Sequence, residues 1–420
     1  MPARWWQPEF AANPLLTLRV QMLVVGAGPA GGELARQLAA AGVEVLLVDQ
    51  LADLGQAAFS SAAMPFASLE RFGLPAQVVA SRWRGWQLLG PAQERRRWLA
   101  SAPLGVVLDF GALRQWLADQ CSRFGGRVQL GQRAFHCQCQ DGLWRTLLRD
   151  RQGAVQEVIS DWVVDASGQG RALIGPLVPL PRAAELDRDL VQGVGVEWLL
   201  QVPLGCWQRW SDQLSFCLGS DWVAQGYGWI FPMAPGQLKV GVCRLRPDRH
   251  LLPLGRVLEQ LQARLFSPDE RQASVVLDRH GGLIVSSIRR RDCHGQGRLL
   301  AIGDAVSTAN LLGGEGIRHA LSSSRVLAPL LLEAIQCGQP FRLRRYEQVL
   351  ARQLGWRWSL SGRLARRTWL GLTGPEADQR LSRLLVGLEP RRAEDLAALL
   401  FDYRFERYGL RSLPYLFGMR

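Results

Sequence analysis

The chain has 420 residues, 48% of them hydrophobic, and a formal charge of +13. Those proportions describe a globular α/β enzyme and exclude a disordered chain, and the length admits two or three domains or one large α/β domain with an inserted sheet. The charge is arginine almost alone, Lys239 being the one lysine; with no nucleic-acid-binding fold or stacking platform in view, it points away from nucleic acid and toward an anionic membrane surface or a phosphorylated substrate.

Residues 1–20 read as an N-terminal arm, whose Arg4, Trp5, Trp6 and Phe10 suit either a peripheral membrane contact or packing on the domain. Met1 to Leu16 lacks a signal-peptide core, and no apolar run approaches the roughly 18 residues that cross a bilayer, so a cytoplasmic protein is expected. The eight cysteines show no CxxC pair and no zinc spacing, which predicts reduced thiols and no metal site.

From Gln21 the sequence reads QMLVVGAGPAGGELARQLAAAGVEVLLVDQ. Met22 to Val25 is an apolar run short enough for a buried parallel strand, and Gly26 ends it in a tight turn. Gly28 lets the backbone approach a pyrophosphate. Gly31 has no side chain to hold the next helix off the sheet, so the helix presents its first amides to phosphate charge. Leu34, Leu38 and Ala41 recur at helical spacing. A second apolar run, Val43 to Val48, ends in Asp49, where a carboxylate would accept from ribose hydroxyls; this leaves NAD or FAD open and disfavours NADP.

Leu51 to Pro75, rich in Ala, Ser and Gly, reads as a loop near the cofactor. A helix is predicted from Phe110 to Phe124, then a β-meander over Arg127–Leu130, Ala134–Gln140, Thr146–Arg149 and Val155–Ile159. Asp161 to Ile174 returns to the buried-strand pattern and reaches a turn at Asp165, Ser167 and Gly168. From Val191 to Leu283 short Trp- and Val-rich strands predict an inserted antiparallel sheet with one helix, Leu254 to Leu265. A last parallel strand from Arg298 leads through Gly303 and Asp304 to Gly313, Gly314 and Gly316, ahead of a long amphipathic helix. On that helix face Glu315 and His319 stand at i and i+4, where proton delivery and a plain ionic contact are both open readings. Asp304 suits a ligand contact or a helix cap. Beyond Pro340 the chain turns helical, basic and Trp-rich.

Three separated signatures, GAGPAGG, VVDASG and IGDA with GEGI, resemble the FAD-dependent oxidoreductases of the p-hydroxybenzoate hydroxylase fold. Within it, GYGWIFPM followed by KVGV is similar to the YxWxFPK and VGxG pattern of the geranylgeranyl reductase group. The resemblance implies an α/β chain with a Rossmann-type, glutathione-reductase-like FAD-binding domain, an inserted antiparallel substrate sheet and a helical C-terminus. The boundaries read as 1–20 for the arm, 21–190 and 286–340 for the two parts of the FAD-binding domain, 191–285 for the substrate sheet and 341–420 for the helical region.

Carried over residue by residue, Gly26, Gly28, Pro29, Ala30, Gly31 and Asp49 would hold the ADP half of FAD. Asp165 and Gly168 would lie near the pyrophosphate, and Gly303 and Asp304 at the ribityl chain. The amides around Gly313, Gly314, Glu315 and Gly316 would face the flavin's N1 and O2 edge. Tyr227, Trp229, Phe231 and Pro232 would line the substrate side, and Tyr227 could donate a proton there. Three positions depart from the pattern: Phe110 stands where the fold often has Arg, Met233 replaces the group's Lys, and PLTGEGI becomes Leu311, Leu312, Gly313 and GEGI. With no second nucleotide-binding turn, electrons would come from a transient NADPH contact or another external reductant. The implied reaction is hydride transfer from reduced FAD to a double bond of an apolar, isoprenoid-like substrate. Hydroxylation of a ring or polyene, and lycopene-cyclase-like chemistry without net redox, are the alternatives.

Overall fold

β1 (Leu16–Val25) runs into the core as an apolar strand and stops at Gly26. Its first residues fall in the stretch read as an arm, because Leu16 to Val20 continue the parallel pairing with Gln156 to Ser160. The structure, a computed structural model, describes residues 16–56, 60–177, 190–245, 250–290, 292–388 and 391–405. Arg4, Trp5, Trp6 and Phe10 lie outside them.

α1 (Pro29–Ala40) follows the turn, and its fully buried Leu34 and Leu38 pack on the sheet, each contributing about 1.5–3 kcal/mol. β2 (Val45–Asp49), α2 (Phe110–Arg123) and β3 (Val155–Asp165) come next. β3 is one strand where the sequence suggested two. Its first half pairs with the meander and alternates in burial; its second half lies between β1 and a later strand and is continuously buried, so the pattern changes mid-strand without a break. Arg127–Leu130 is likewise no part of the meander but pairs parallel to β2.

The second sheet is built on β4 (Leu190–Gln201), β5 (Gly226–Pro232), β6 (Gln237–Leu245) and β7 (Val275–Ser287), in the order β7-β4-β6-β5. It continues through Gln213–Leu218 to Gly85–Leu89 and Arg95–Leu99, strands from far upstream. The helix Leu254–Leu265 covers its outer face with Leu258 and Leu261. The stretch read as a loop after Leu51 contains the strand Ala63–Pro65 and the helix Ala67–Phe72.

β8 (Leu299–Ala301) returns to the first sheet beside β3, and α3 (Ile317–Gln336) packs against α1. Val25 stands opposite Val48 and Asp165, and Asp165 opposite Ala301. This register brings the C-terminal ends of β1, β2, β3 and β8 to one edge, so the separated signatures converge there. Of the C-terminal helices, α4 (Trp356–Leu370) and α5 (Ala393–Asp402) tie the layers together. The indole of Trp358 donates to the Ser287 carbonyl, that of Trp369 to Leu311, and that of Trp86 to Ala393, which gives the Trp-rich composition a structural reason. All eight cysteines are free, and no helix among the described residues is long and apolar enough to cross a membrane.

Candidate functional site

A cleft of about 700 Å³ opens where the parallel strands end, with the second sheet as its far wall. The turn after β1 is shaped by backbone proximity. Gly26 sits at φ 109°, and a Cβ on it would lie 2.3 Å from the Ala166 carbonyl oxygen; one on Gly31 would lie 1.9 Å from the Gly26 oxygen. Gly28 has no atom within 4 Å of its missing Cβ and faces open cleft. Pro29 and Ala30 line the cleft beside it, and no side chain caps α1, so the first-turn amides remain for an anionic ligand.

Asp49 lines the cleft while accepting from the amides of Ala27 (2.7 Å) and Leu51 (2.8 Å). Those bonds fix its carboxylate and leave further lone pairs for a ligand hydroxyl. Arg114 is the residue the sequence reading missed. It lies one helical turn beyond Phe110, with its guanidinium 4.9 Å from that ring's centroid, lines the same part of the cleft, and donates to the Gln56 carbonyl at 2.5 Å. Burial lowers its pKa, and Asp49 and Asp53 partly offset this. An Arg at i+4 from the expected position was the available signal.

Asp165 does not line the cleft. Its Oδ1 accepts from the amide and hydroxyl of Ser167, and its Oδ2 from the amides of Leu173 and Ile174 (both 2.8 Å), so it shapes the loop that places Ser167 and Gly168 at the cleft.

After β8, Gly303 turns at φ 63° with its missing Cβ 2.7 Å from Ala30, and this close approach aims Asp304 into the cleft. Asp304 caps no α-helix. Its buried Oδ1 has no protein partner, and burial pushes the carboxyl up to about 6. An orphaned carboxyl oxygen at the strand end is what a polyhydroxyl chain would satisfy.

Gly313, Gly314 and Gly316 line the cleft, but Glu315 does not. Its amide and carbonyl exchange bonds with Asn310 (2.9 and 2.8 Å), so the Glu315 amide is engaged within the loop, leaving Gly313 and Gly314 to serve the cleft. Its side chain turns away, receiving Arg318 and the Tyr403 hydroxyl (3.1 Å), while His319 Nε2 lies 2.9 Å from Tyr403. Burial raises the Glu315 pKa, but Arg318 and His319 outweigh it and hold the carboxyl down at about 2; burial lowers His319. The pair buttresses the glycine loop from behind, and proton delivery into the cleft loses its geometric basis.

On the far wall, Tyr227, Trp229 and Phe231 face the cleft with Phe216, Leu245 and Ile284, and Gly193, Gly195 and Gly282 leave the wall low. Pro232 and Met233 are outside it; the Pro232 carbonyl instead accepts from Ser81 at 2.7 Å. Burial pushes the Tyr227 phenol well above its ordinary pKa, and that of Cys243 beside it up to about 12. Among the described residues, none of those lining this wall is charged.

The sequence matches the FAD binding domain family over residues 19–357. It is 29% identical over 331 residues to the digeranylgeranylglycerophospholipid reductase of Haloferax volcanii, covering 74% of this chain and 76% of that protein. The enzyme of that name from Methanosarcina mazei is 24% identical over 405 residues, covering 94% and 92%. The geranylgeranyl bacteriochlorophyll reductase-like protein of Thermoplasma acidophilum shares the fold, with a TM-score of 0.77 at 19% identity over 93% of this chain and 100% of that one. So does the halogenase PltM in complex with FAD, with a TM-score of 0.62 at 13% identity over 91% and 85%.

Proposed function

Since the chain belongs to the FAD binding domain family and is an FAD-dependent oxidoreductase, we propose that it reduces double bonds in an apolar, isoprenoid-like lipid. The observation that carries this reading is the far wall of the cleft. It is built from aromatic rings, aliphatic side chains and bare glycine backbone, so an uncharged hydrocarbon fits there without stranding a buried polar group. The relatives named for a digeranylgeranylglycerophospholipid support that substrate class.

Bound and reduced by the external donor, FAD would supply a hydride from N5. Gly26, Gly28, Pro29, Ala30 and Gly31 would receive its pyrophosphate, with Gly168 across the turn. Asp49 and Arg114 would hold the adenosine side, and Asp304 the ribityl hydroxyls. The amides of Gly313 and Gly314 would stabilise negative charge at the ring's edge. Trp229, Phe231 and Phe216 would orient the hydrocarbon and exclude water. Tyr227, held protonated by burial, would supply the proton that completes saturation of the double bond. In this reading 21–190 and 286–340 serve the cofactor, 191–285 with the two upstream strands serves the substrate, and 341–420 closes the layers. Electrons enter from NADPH in a transient contact or from another external reductant, and a lipid substrate calls for peripheral contact with a membrane.

Anaerobic incubation of the chemically reduced flavoprotein with a geranylgeranyl lipid tests the proposal. A product heavier by two hydrogens per bond, formed as the flavin reoxidises, is expected. An oxygen-bearing product formed only in air, or an isomeric product, would replace it with hydroxylation or cyclisation.

A further inference from the structure

One row of residues crosses four strands of the second sheet: His280 on β7 stands opposite Glu197 on β4, Glu197 opposite Gly241 on β6, and Gly241 opposite Trp229 on β5. A Cβ on Gly241 would lie 2.2 Å from the Trp229 ring, so the indole occupies the space that this glycine leaves. Its Nε1–H donates to Glu197 Oε2 at 2.7 Å, and the Glu197 side chain is fully buried. The other oxygen, Oε1, lies 3.1 Å from His280 Nε2, while His280 Nδ1 lies 2.9 Å from Asp278 Oδ2. Burial lowers the His280 pKa, but Glu197 and Asp278 outweigh this and raise it, so a ring whose two nitrogens face carboxylate oxygens favours its doubly protonated form.

The row thus links an indole in the cleft wall to Asp278, whose side chain is 45% exposed. Lys239, two residues before Gly241 on the same sheet face, is buried, donates to the Ser60 carbonyl at 2.6 Å, and acts electrostatically on Glu197. Burial lowers the Lys239 pKa while Glu197 and Asp109 raise it, so within the sheet Glu197 is balanced by this amine and the His280 ring. Such a balanced buried group is a costly way to build a plain sheet, since an apolar row would need no compensation.

We infer that Glu197 is a positioning residue that sets the substrate wall: its carboxylate, held by His280, fixes the Trp229 indole over Gly241 and so determines which hydrocarbon the cleft accepts. The inference rests on the substrate reading of the cleft. A charge-assisted bond to the indole N–H holds the ring against sliding along the bare backbone of Gly241. Without it, a buried N–H is stranded and the wall is free to repack.

The test uses the FAD-loaded protein labelled with ¹⁵N at its indoles. The Trp229 signal is identified by its loss in Trp229→Phe. In Glu197→Gln, a neutral acceptor replaces the carboxylate, and that resonance is expected to move upfield with the flavin absorbance unchanged. KM for a geranylgeranyl lipid is expected to rise about tenfold, with kcat changing far less. Glu197→Leu, which leaves no acceptor, should exceed Glu197→Gln on both readouts; if it does not fold, the Gln variant carries the test alone. An unmoved indole resonance overturns the positioning role whatever the substrate is. A moved resonance with unchanged KM overturns the substrate-wall assignment. Failure of the reductase reading shows separately, as unmoved lipid mass in the wild type despite the shifted indole signal in the variant.

Discussion

A Cβ on Gly314 would stand 2.6 Å from the phenol oxygen of Tyr227, so the glycine loop after β8 and the aromatic wall meet through one hydroxyl and bare backbone. Gly314 also holds φ 68°, a conformation that costs an L-residue about 1–2 kcal/mol. Gly314→Ala should therefore lower stability by about that amount and displace the phenol. Tyr227→Phe keeps the ring and its contacts with Phe216 and Trp369 but removes the proton. It is expected to slow lipid-dependent flavin reoxidation by about 100-fold, in the range of general-acid effects, with KM little changed. Anaerobic stopped-flow absorbance measures this, and an undiminished rate would leave Tyr227 as packing alone.

Gly28 separates cofactor exclusion from folding. No protein atom lies within 4 Å of its missing Cβ, so Gly28→Val meets nothing in the fold itself and projects into the cleft where a pyrophosphate would approach. The variant should show the thermal midpoint of the flavin-stripped wild type and purify colourless. Full flavin occupancy would refute the phosphate assignment. Gly31→Val makes the contrasting case: its side chain would strike the Gly26 carbonyl oxygen, so loss of folding is expected alongside loss of flavin.

The convergence of Gly26, Asp49 and Asp304 was legible in the sequence because each closes an apolar run of buried parallel strand, a pattern that survives without knowledge of partners. Helix Leu254–Leu265 was equally legible from its strong one-sided apolar spacing. The strands Gly85–Leu89 and Arg95–Leu99 were not, since one is buried on both faces and the other carries consecutive arginines, so neither alternates cleanly. Glu315 and His319 do meet, at 3.4 Å, but Glu315 precedes α3 and does not share its face, and the way the pair points depends on Tyr403, 88 residues beyond Glu315, which no local spacing encodes. Asp165 misled for a related reason: a strand-end aspartate beside the cleft looks the same whether it serves a ligand or four groups of its own loop.

Arg114 offers a test of whether a cofactor contact has moved one helical turn. Arg114→Leu removes a buried cation beside Asp49 and the bond to Gln56, while Phe110 and the Asp109 cap that starts α2 remain. Loss of a charged hydrogen-bonding group of this kind typically costs about 1.5–3 kcal/mol, so the FAD dissociation constant should rise roughly 10- to 100-fold. Fluorescence titration of the flavin-stripped protein measures it. Unchanged affinity would confine Arg114 to bracing the Gln56 loop.

Asp304 ties cofactor loading to pH. Burial raises its carboxyl from the ordinary 3.8 to about 6 in the folded chain, so between those values the fold binds a proton that the unfolded chain has released. The stabilisation this provides is complete below pH 3.8 and is lost as pH rises through about 6, amounting to about 3 kcal/mol for a two-unit difference. In the flavin-stripped protein, Asp304→Asn removes this contribution, so its stability relative to wild type should rise between pH 4 and 7 as the wild-type carboxyl becomes a buried, unpartnered charge. Flavin reverses the preference, because hydroxyls donating to Oδ1 favour the charged form. Wild-type FAD affinity should accordingly increase over the same interval, with release of a proton on binding below pH 6, while the Asn variant binds weakly and without that slope. Calorimetric titration in buffers of different ionisation enthalpy measures the proton directly, and equal slopes in the two proteins would place the ribityl contact elsewhere.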